Sequence, residues 1–371
     1  MNILFVNPTQ KLRVGMLNLI KGLAQDKSNK IVIITPQKVE NPLKGFSNVK
    51  LITYPSFFIP KIRYTIPHFL KQYKLTRKII KKEEIDIIHS WSYFYPVNIM
   101  PLVVAKKEGI PILTTIDTFP GINWSYGGGR FIDICAKIYS LTIGRYILSK
   151  MDKIVLLGKY LDKPARQMGI KDYVIIPLSV DFERFNIKPS KKLIKELDIS
   201  DEKVIITIGR LVPVKGIDRV IEASKRLINE GFNIKTLIVG DGPYESEYKD
   251  MAKGYPQITF LGRREDIPEL LSISDIFVLA SISEGFPNVL LEAMAMDIVI
   301  LTTQVGATNE ISKETKKIKL TNAKNIAKEI MKLFLKKNAE DKVNHLFQKK
   351  YAMHRVARRY ETIYKNIRFS Y

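Results

Sequence analysis

Basic side chains follow the first apolar run in the second half of the chain, and they could bind anions. Arg210 comes directly after the run VIITIG, and Lys215 follows five positions later, with Gly216 at the start of an expected helix. Arginine offers a planar fork to phosphate oxygens, lysine offers a mobile point charge, and a helix N-terminus offers free N–H groups. Together these groups would surround one small volume that suits a diphosphate.

Two glutamates follow a later apolar run, IFVLA, in the stretch SISEGFPNVLLEAMA. Glu284 is expected in a loop, and Glu292 lies eight positions later inside the helix that Pro287 begins. Their carboxylates could accept hydrogen bonds from sugar hydroxyls, and the N–H groups of Gly285 and Phe286 could reach phosphate or sugar oxygens. Each glutamate alone could equally be a solvated acid near a helix start. In order with the Arg–Lys pair, they indicate a site for a sugar diphosphate.

The elements that must position these residues are short apolar runs, each followed by a longer amphipathic run. Strands that are apolar throughout and alternate with helices predict parallel sheets covered on both faces. Two such sets in 371 residues predict an α/β protein with two doubly wound, Rossmann-like domains, at residues 1–177 and 178–350, followed by a basic amphipathic helix over 351–371. Ligands of such sheets lie beyond the carboxyl ends of the strands, where the residues above are found.

Four motifs in the second domain form an ordered series: GRLVPVKG, VGDGP, FLGRRED and SEGFPNVLLEAMA. The series resembles the signature of the family-4 retaining glycosyltransferases, and the likeness spans nearly the whole domain. The resemblance implies a GT-B fold with parallel sheets facing across a cleft, and a C-terminal helix that packs back on the first domain. It also implies a retaining hexosyltransferase that moves a sugar from a nucleoside diphosphate to an acceptor glycan or a lipid-linked acceptor.

The resemblance also implies roles for the matching residues. Arg210 and Lys215 would hold the donor diphosphate and stabilise its charge as it leaves. Glu284 would contact the donor sugar, and Gly285, Phe286 and Asn288 would line the same loop. Glu292 would bind the ribose, and Arg263 would lie near the base. Gly306 would lie at the edge of the donor site or serve in packing. No metal or cofactor is expected, because two cations and a helix terminus would neutralise the leaving group.

Candidates in the first half carry weaker signals. Asp117 ends the run PILTTID where the family has a histidine, and it could bind a sugar hydroxyl, act as a base or simply start a turn. Gly15 matches a glycine-rich helix start in the family and would bind substrate, although only one glycine is present. His89, at the end of IDIIHS, is either a cleft residue or a structural histidine.

The net charge of +23 is concentrated in the first half, where residues 1–178 hold 27 Lys+Arg and 11 Asp+Glu. A basic cluster stands out there: Lys61, Arg63, Lys71, Lys74, Arg77, Lys78, Lys81 and Lys82. It could be a solvated helix face, a nucleic-acid surface or, with the aromatic residues around it, an amphipathic element on an anionic membrane. The aromatic residues favour the membrane over nucleic acid.

Other features bear on location. The single cysteine, Cys135, excludes a disulfide framework and indicates a reducing, cytoplasmic setting. The start MNILFVNP is typical of a first strand rather than a signal peptide. The most apolar helical stretch, 131–148, contains three charged residues and is expected to be a core or surface helix rather than a membrane span. Cytoplasmic enzymes on the inner membrane face fit this pattern.

Two other classes of protein remain as alternatives. A nucleotide-sugar epimerase or a phosphorylase could share the architecture, but an epimerase needs acid and base residues beside the sugar, and a phosphorylase needs a cofactor lysine. A non-catalytic basic protein that binds membrane or nucleic acid could carry a degenerate site. The intact Arg–Lys and Glu–Glu series argues against such decay.

Overall fold

The structure is a computed structural model that describes residues 1–36, 41–59, 64–125, 129–315, 317–335 and 345–369. The chain forms two compact units: unit 1 comprises residues 1–179 and 351–371, and unit 2 comprises residues 180–350. The first boundary lies two residues after the expected one. Leu178 and Ser179 belong to unit 1 because the Ser179 carbonyl accepts a 2.8 Å hydrogen bond from Asn18 Nδ2 and Leu178 packs beside Gly15.

Unit 1 is built on a seven-stranded parallel sheet with the order β3-β2-β1-β6-β7-β8-β9, and β4 and β5 form a separate antiparallel hairpin. The strands are β1 (Asn2–Val6), β2 (Lys30–Thr35), β3 (Val49–Thr53), β4 (Ser56–Ile59), β5 (Tyr64–Pro67), β6 (Ile87–Trp91), β7 (Ile112–Ile116), β8 (Lys153–Leu156) and β9 (Val174–Ile175). The central strands are buried on both faces, as their apolar runs predict.

The helices of the first stretch of unit 1 connect these strands. They are α1 (Val14–Ala24), α2 (Phe69–Glu83), α3 (Ile99–Glu108), α4 (Arg130–Tyr139), α5 (Arg145–Ser149) and α6 (Asp162–Gln167). A π-helical turn over Ser140–Gly144 joins α4 to α5, so that one continuous helical segment runs from Arg130 to Ser149.

Unit 2 has a six-stranded parallel sheet with the order β12-β11-β10-β13-β14-β15. Its strands are β10 (Lys203–Ile208), β11 (Ile234–Val239), β12 (Ile258–Gly262), β13 (Ile276–Leu279), β14 (Val299–Thr303) and β15 (Ile318–Thr321). Its helices are α7 (Lys191–Glu196), α8 (Ile217–Asn229), α9 (Glu245–Met251), α10 (Ile267–Ser272), α11 (Asn288–Ala295), α12 (Thr308–Ile311), α13 (Ile326–Leu335) and α14 (His345–Tyr351). The predicted class, two Rossmann-like α/β units with parallel sheets, is confirmed.

The last helix, α15 (Met353–Phe369), packs on α1 of unit 1. Gly22 of α1 makes the close approach, since a Cβ there would lie 2.7 Å from the Met353 carbonyl oxygen. The helix also carries Tyr364, whose hydroxyl lies 2.7 Å from Nδ1 of His89 in the core. Nε2 of His89 lies 2.8 Å from the Thr115 hydroxyl, and burial lowers the His89 pKa to about 3. His89 is therefore a neutral, structural histidine.

One expectation about the surface changes. The aromatic segment before α2 does not form one amphipathic element, because Phe57 and Phe58 lie in the β4–β5 hairpin and the helix begins only at Phe69. The Lys-rich stretch before β10 holds a helix of only six residues, α7. Within the described ranges, no helix combines the length and apolar character that a membrane span requires.

Candidate active site

In the sheet of unit 2, the order in which strands are added changes direction between the neighbouring strands β10 and β13. Strands β11 and β12 follow β10 on one side, and β14 and β15 follow β13 on the other. Ligands of open parallel sheets bind beyond the carboxyl ends of the strands at such a switch point. The loop after β10 carries Arg210 and Lys215, and the loop after β13 carries Glu284. The topology therefore brings the predicted basic and acidic residues to one place.

Lys215 and Glu284 are in direct contact. Lys215 Nζ donates to Glu284 Oε1 at 2.6 Å, and the Ser281 hydroxyl donates to the same oxygen at 2.6 Å. The Glu284 residue is only 9% exposed, so its charge depends on these two partners. A charged, nearly buried pair joins the two loops at the switch point, 69 positions apart in the sequence.

The main chain holds the same two loops together. Gly216 has φ +66°, and a Cβ on it would lie 2.1 Å from the carbonyl oxygen of Ala280, so only glycine fits between Lys215 and α8. Ile282 N donates to Val214 O at 2.8 Å across the same gap. The position of Lys215 against the Glu284 loop is thus set by backbone packing as well as by charge.

The loop after β14 supports the Glu284 loop from its other side. Gly306 has φ +49°, and a Cβ there would lie 2.0 Å from the Gly285 carbonyl oxygen. Ala307 N donates to that same oxygen at 3.0 Å. The sequence match at Gly306 therefore has a packing reason: its missing side chain lets the backbone of residues 284–285 lie in contact with the next loop.

Helix α11 presents polar groups without partners in its first turns. The Asn288 Oδ1 atom is buried and accepts no hydrogen bond from any described residue. Glu292, one turn later, is half-buried, and among the described residues its carboxyl group has no hydrogen-bond partner. Burial raises the pKa of Glu292 to about 7, and the positive charge of Arg184 opposes that shift. These two side chains have hydrogen-bonding capacity left for a ligand.

Arg184 is a residue that the sequence reasoning did not include. It lies at the start of unit 2, and its Nη2 donates to Glu265 O at 3.1 Å, in the loop after β12. Its positive charge also lowers the pKa of Glu292 in α11. No motif in its own segment, VDFERF, indicates this, because the neighbours it acts on come from positions more than 80 residues later.

The two arginines after β12 differ in whether they form an ion pair. Arg264 binds Asp266 through two hydrogen bonds, at 2.8 and 2.5 Å, and this pairing raises its pKa. Arg263 is exposed and forms no ion pair within the described part of the chain. Arg210 is also exposed, at the start of its loop. Arg263 and Arg210 are thus both exposed, in loops that follow strands of the same sheet.

Phe286 and Gly285 are both buried behind Glu284. A cavity of about 580 Å³ lies on the β14–β15 side of the same loop, lined by residues that include Ser281, Thr303, Asn322 and Glu329. Neither Lys215 nor Glu284 lines it. Of the residues in the Lys215–Glu284 contact, only the serine that donates to Glu284, Ser281, lines this cavity.

In unit 1, Asp117 follows β7 and is bound by a residue from the loop after β1. Arg13 Nη1 donates to Asp117 Oδ2 at 2.6 Å, and Arg13 Nη2 donates to the Tyr95 hydroxyl at 2.9 Å. The Tyr160 hydroxyl donates to the Asp117 carbonyl at 2.7 Å. A base at Asp117 would thus act with one oxygen already held by a guanidinium, and Arg13 joins it as a residue that the sequence did not single out.

Gly15 lies in the first turn of α1 rather than in the preceding loop. A Cβ there would lie 2.6 Å from Leu178 Cδ2 and 3.4 Å from the Trp91 ring. The glycine thus permits close packing inside unit 1, and its role in substrate binding stays a prediction.

The predicted basic cluster is exposed along α2, at Lys71, Lys74, Lys78, Lys81 and Lys82. Arg77 of the same helix pairs with Glu108 at 2.5 Å. Lys61 and Arg63 lie outside the described residues.

Comparison with known proteins agrees with this architecture. A stretch of 295 residues is 24% identical to the phosphatidylinositol N-acetylglucosaminyltransferase GPI3 subunit of Saccharomyces cerevisiae, which covers 77% of this chain and 63% of the relative. A stretch of 274 residues is 26% identical to the N-acetyl-alpha-D-glucosaminyl L-malate synthase of Bacillus anthracis, with 70% and 68% covered. The chain thus spans less than two thirds of the yeast relative.

The fold is shared with Anabaena Alr3699/HepE, solved in complex with UDP and glucose, at a TM-score of 0.76 and 17% identity over 99% of this chain and 100% of that one. Residues 13–184 match the family model for Glycosyltransferase Family 4, and residues 189–350 match the model for Glycosyl transferases group 1. With both halves matched in order, the chain belongs to the family-4 glycosyltransferases of the GT-B fold.

Proposed function

We propose that this chain is a retaining, metal-independent glycosyltransferase that passes the sugar of a nucleoside diphosphate sugar to an acceptor hydroxyl. The observation that carries the proposal is the Lys215–Glu284 contact at the switch point of unit 2, with Arg210 on the same loop as Lys215. It is the arrangement that a departing diphosphate needs, since it combines fixed positive charge with an acceptor for sugar hydroxyls.

The reaction breaks the bond between C1 of the sugar and the oxygen of the β-phosphate, and the electron pair stays on that oxygen. In the structure, Lys215 forms an ion pair with Glu284. We infer that the donor diphosphate takes Lys215 Nζ together with Arg210, while Glu284, still held by Ser281, turns to the hydroxyls of the sugar. Each 1.4 kcal/mol by which these cations favour the leaving group over the intact donor raises the rate about tenfold.

The acceptor oxygen then bonds to C1 on the face that the diphosphate leaves, and the acceptor proton passes to the departing phosphate oxygen. Retention of configuration and independence of metal ions follow from this scheme, in which two cations of the protein supply the positive charge. Family membership supports the retaining outcome, and the positions of Arg210 and Lys215 support catalysis without a metal.

The nucleoside would lie along α11 and the loop after β12. Glu292 can both donate and accept hydrogen bonds when it is protonated, which suits the two hydroxyls of a ribose. Asn288 has a buried oxygen in need of a donor, and Arg263 is exposed near the expected place of the base. Phe286 and Gly285 would shape the sugar side of the same loop.

The acceptor would meet unit 1, where Arg13 and Asp117 follow β1 and β7, the strands on either side of β6, and form an ion pair. The yeast relative is named for phosphatidylinositol and the Bacillus relative for L-malate, so an acceptor hydroxyl is common to both names while its carrier differs. We propose a glycan or lipid-linked acceptor for this chain, at the inner face of a membrane in the cytoplasm. The lysines of α2 would attract its anionic surface.

The epimerase and phosphorylase alternatives are not favoured, because the chain belongs to a glycosyltransferase family and its relatives are named as transferases or synthases. The non-catalytic alternative would leave the Lys215–Glu284 pair, its serine partner and the two close-packed glycines, Gly216 and Gly306, without a purpose.

The test is release of the nucleoside diphosphate from a panel of UDP-, GDP- and ADP-sugars, with and without chelator. A matched pair of variants controls it: Lys215→Ala removes the lysine after β10, and Lys203→Ala removes a lysine at the start of β10 that also pairs with a carboxylate, at 2.8 Å to Asp275. We expect Lys215→Ala to lower turnover about 100-fold or more, and Lys203→Ala to leave it unchanged. Equal turnover by the two variants, or no turnover of any donor, would contradict the proposal.

A further inference from the structure

The helical segment from Arg130 to Ser149, here called the α4–α5 segment, turns five large apolar side chains to solvent, whereas Ile147 and Leu148 near its end are buried. The exposed fractions are 77% for Phe131, 54% for Ile134, 59% for Ile138, 51% for Ile143 and 65% for Tyr146. Their spacing places them along one side of the helix, over roughly 20 Å. Isolated apolar residues on a surface are ordinary, but five on one helical side form a contiguous patch.

Small residues face the interior from the same segment, which reverses the usual pattern of a surface helix. Ala136, Ser140 and Gly144 are buried. Ser140 Oγ donates to Pro120 O at 2.9 Å, and a Cβ on Gly144 would lie 2.5 Å from the Tyr93 ring. At Gly144 no larger side chain would fit against the Tyr93 ring, so the helix cannot roll there to bury its apolar side.

The loop after β7 also packs closely against the inner side of α4. Gly121 has φ +74°, and a Cβ there would lie 2.3 Å from Lys137 N and 2.5 Å from the Asp133 carbonyl oxygen. The backbone of the loop after β7 therefore touches the backbone of α4 directly. The apolar patch is thus a fixed feature of unit 1.

Exposed positive charges surround the patch, at Arg130, Lys137, Arg145 and Lys150. Asp133, the acidic residue within α4, accepts a 2.6 Å hydrogen bond from Ser125. A second copy of this chain would bring its own net charge of +23 and be repelled. Nucleic acid would find charge here but no use for five exposed apolar side chains. An anionic lipid surface satisfies both features, with acyl chains for the patch and headgroups for the cations.

We infer that the α4–α5 segment is a membrane-docking surface, which inserts its apolar side into the headgroup region of an anionic bilayer. This goes beyond the proposed reaction and differs from the electrostatic attraction ascribed to α2, because it names the element that enters the lipid. The segment follows the Asp117 loop, so docking would hold the acceptor side of unit 1 at the membrane.

The chain carries its own probe for this inference. Cys135 is the sole cysteine in the sequence, it is exposed, and it lies on the apolar side between Ile134 and Ile138. The full chain labelled at Cys135 with an environment-sensitive fluorophore would be mixed with vesicles of phosphatidylcholine alone or with 30% phosphatidylglycerol. Neither donor nor acceptor is needed, so the result does not depend on the proposed reaction.

Vesicles with phosphatidylglycerol should shift the emission to the blue and increase its intensity, and pure phosphatidylcholine should shift it much less. In sedimentation with unlabelled protein, Phe131→Ser/Ile138→Ser should lower partitioning about tenfold or more. Val103→Ser, at a 44% exposed position on α3, should not change it. Because the substituted side chains are exposed, both variants should keep the melting temperature of the natural chain.

Three results would overturn the inference. The protein could sediment with vesicles while the Cys135 label shows no blue shift, which would assign binding to another surface such as α2. The double variant could partition as well as the natural chain. Light scattering could show that Phe131→Ser/Ile138→Ser dissociates an oligomer of the natural chain, which would make a second copy the occupant.

Discussion

At pH 8, Glu292→Gln should have a larger free energy of unfolding than the natural chain. At pH 4 this difference should be absent. Burial raises the pKa of this carboxyl group from 4.5 to about 7. Between those values the unfolded chain releases the proton, while the folded chain retains it. The stability that the protonated form contributes is therefore fully present below pH 4.5 and is lost as the pH rises through 7.

The magnitude follows from the size of the shift. A change from 4.5 to about 7 is about 2.5 pKa units, and at 1.36 kcal/mol per unit it sets an upper limit near 3.4 kcal/mol. The side chain is half-buried, so water relieves part of that cost. We expect the free energy of unfolding of Glu292→Gln, minus that of the natural chain, to rise by about 1.5 to 3 kcal/mol between pH 4 and pH 8.

The assay is urea unfolding followed by far-ultraviolet circular dichroism at pH 4, 5.5, 7 and 8. Both tryptophans of the chain, Trp91 and Trp124, lie in unit 1, whereas Glu292 lies in unit 2. Tryptophan fluorescence thus gives an internal control, since its transition should show a smaller pH-dependent difference wherever the units unfold separately. Arg184→Gln should move the midpoint of the pH effect upward, because it removes a charge that lowers the Glu292 pKa. A difference that stays constant from pH 4 to pH 8 would refute the reasoning.

Four further outcomes follow from the same contacts. Glu284→Gln keeps the serine hydrogen bond but loses the charge that orders Lys215, so donor turnover should fall about 10- to 100-fold in steady-state assays; unchanged kinetics would count against the site. Gly306→Ala, at φ +49° and 2.0 Å from a carbonyl oxygen, should cost about 2 to 4 kcal/mol of unfolding free energy. Gly254→Ala, at φ +87° in open space, should cost about 1 kcal/mol, and equal losses would contradict the packing account. Tyr364→Phe leaves Nδ1 of a buried histidine unpaired and should cost about 1 to 3 kcal/mol in thermal unfolding, whereas an unchanged melting temperature would show that the bond is dispensable. Diphosphate release should persist after treatment with EDTA, and loss that magnesium restores would contradict metal independence.

Much of unit 2 could be predicted from the sequence because its evidence is local. Each apolar run marks a strand, the run after it marks a helix, and parallel pairing puts all the carboxyl ends on one edge. That is enough to place Arg210, Lys215 and Glu284 together. Asp297 adopts a left-handed turn, with φ +59°, a conformation that aspartate tolerates. The direct Lys215–Glu284 bond could not be predicted, because it depends on a close approach at Gly216 that only the folded backbone shows.

The missing parts of the site are contacts between distant segments. Arg13 and Asp117 are 104 positions apart, and Arg184 acts on Glu292 across more than 100 positions. Neither arginine lies in a motif, and a basic chain offers 60 Lys and Arg residues from which to choose. Strand order and loop packing determine which arginine contacts which carboxyl group, and hydrophobic periodicity carries no information about either.

The α4–α5 segment shows most clearly what periodicity omits. Its apolar residues recur at helical spacing, and that pattern normally predicts the side of a helix that faces the core. In the structure the opposite side faces the core, where Ser140 hydrogen-bonds to the Pro120 carbonyl oxygen and the Tyr93 hydroxyl, and Gly144 lies too close to the Tyr93 ring for any larger side chain. The side of this helix that faces the core is thus the side whose small residues allow close packing. The apolar side remains exposed and available for another binding surface. On a chain with net charge +23, the covering that matches both the apolar patch and its surrounding cations is an anionic lipid surface.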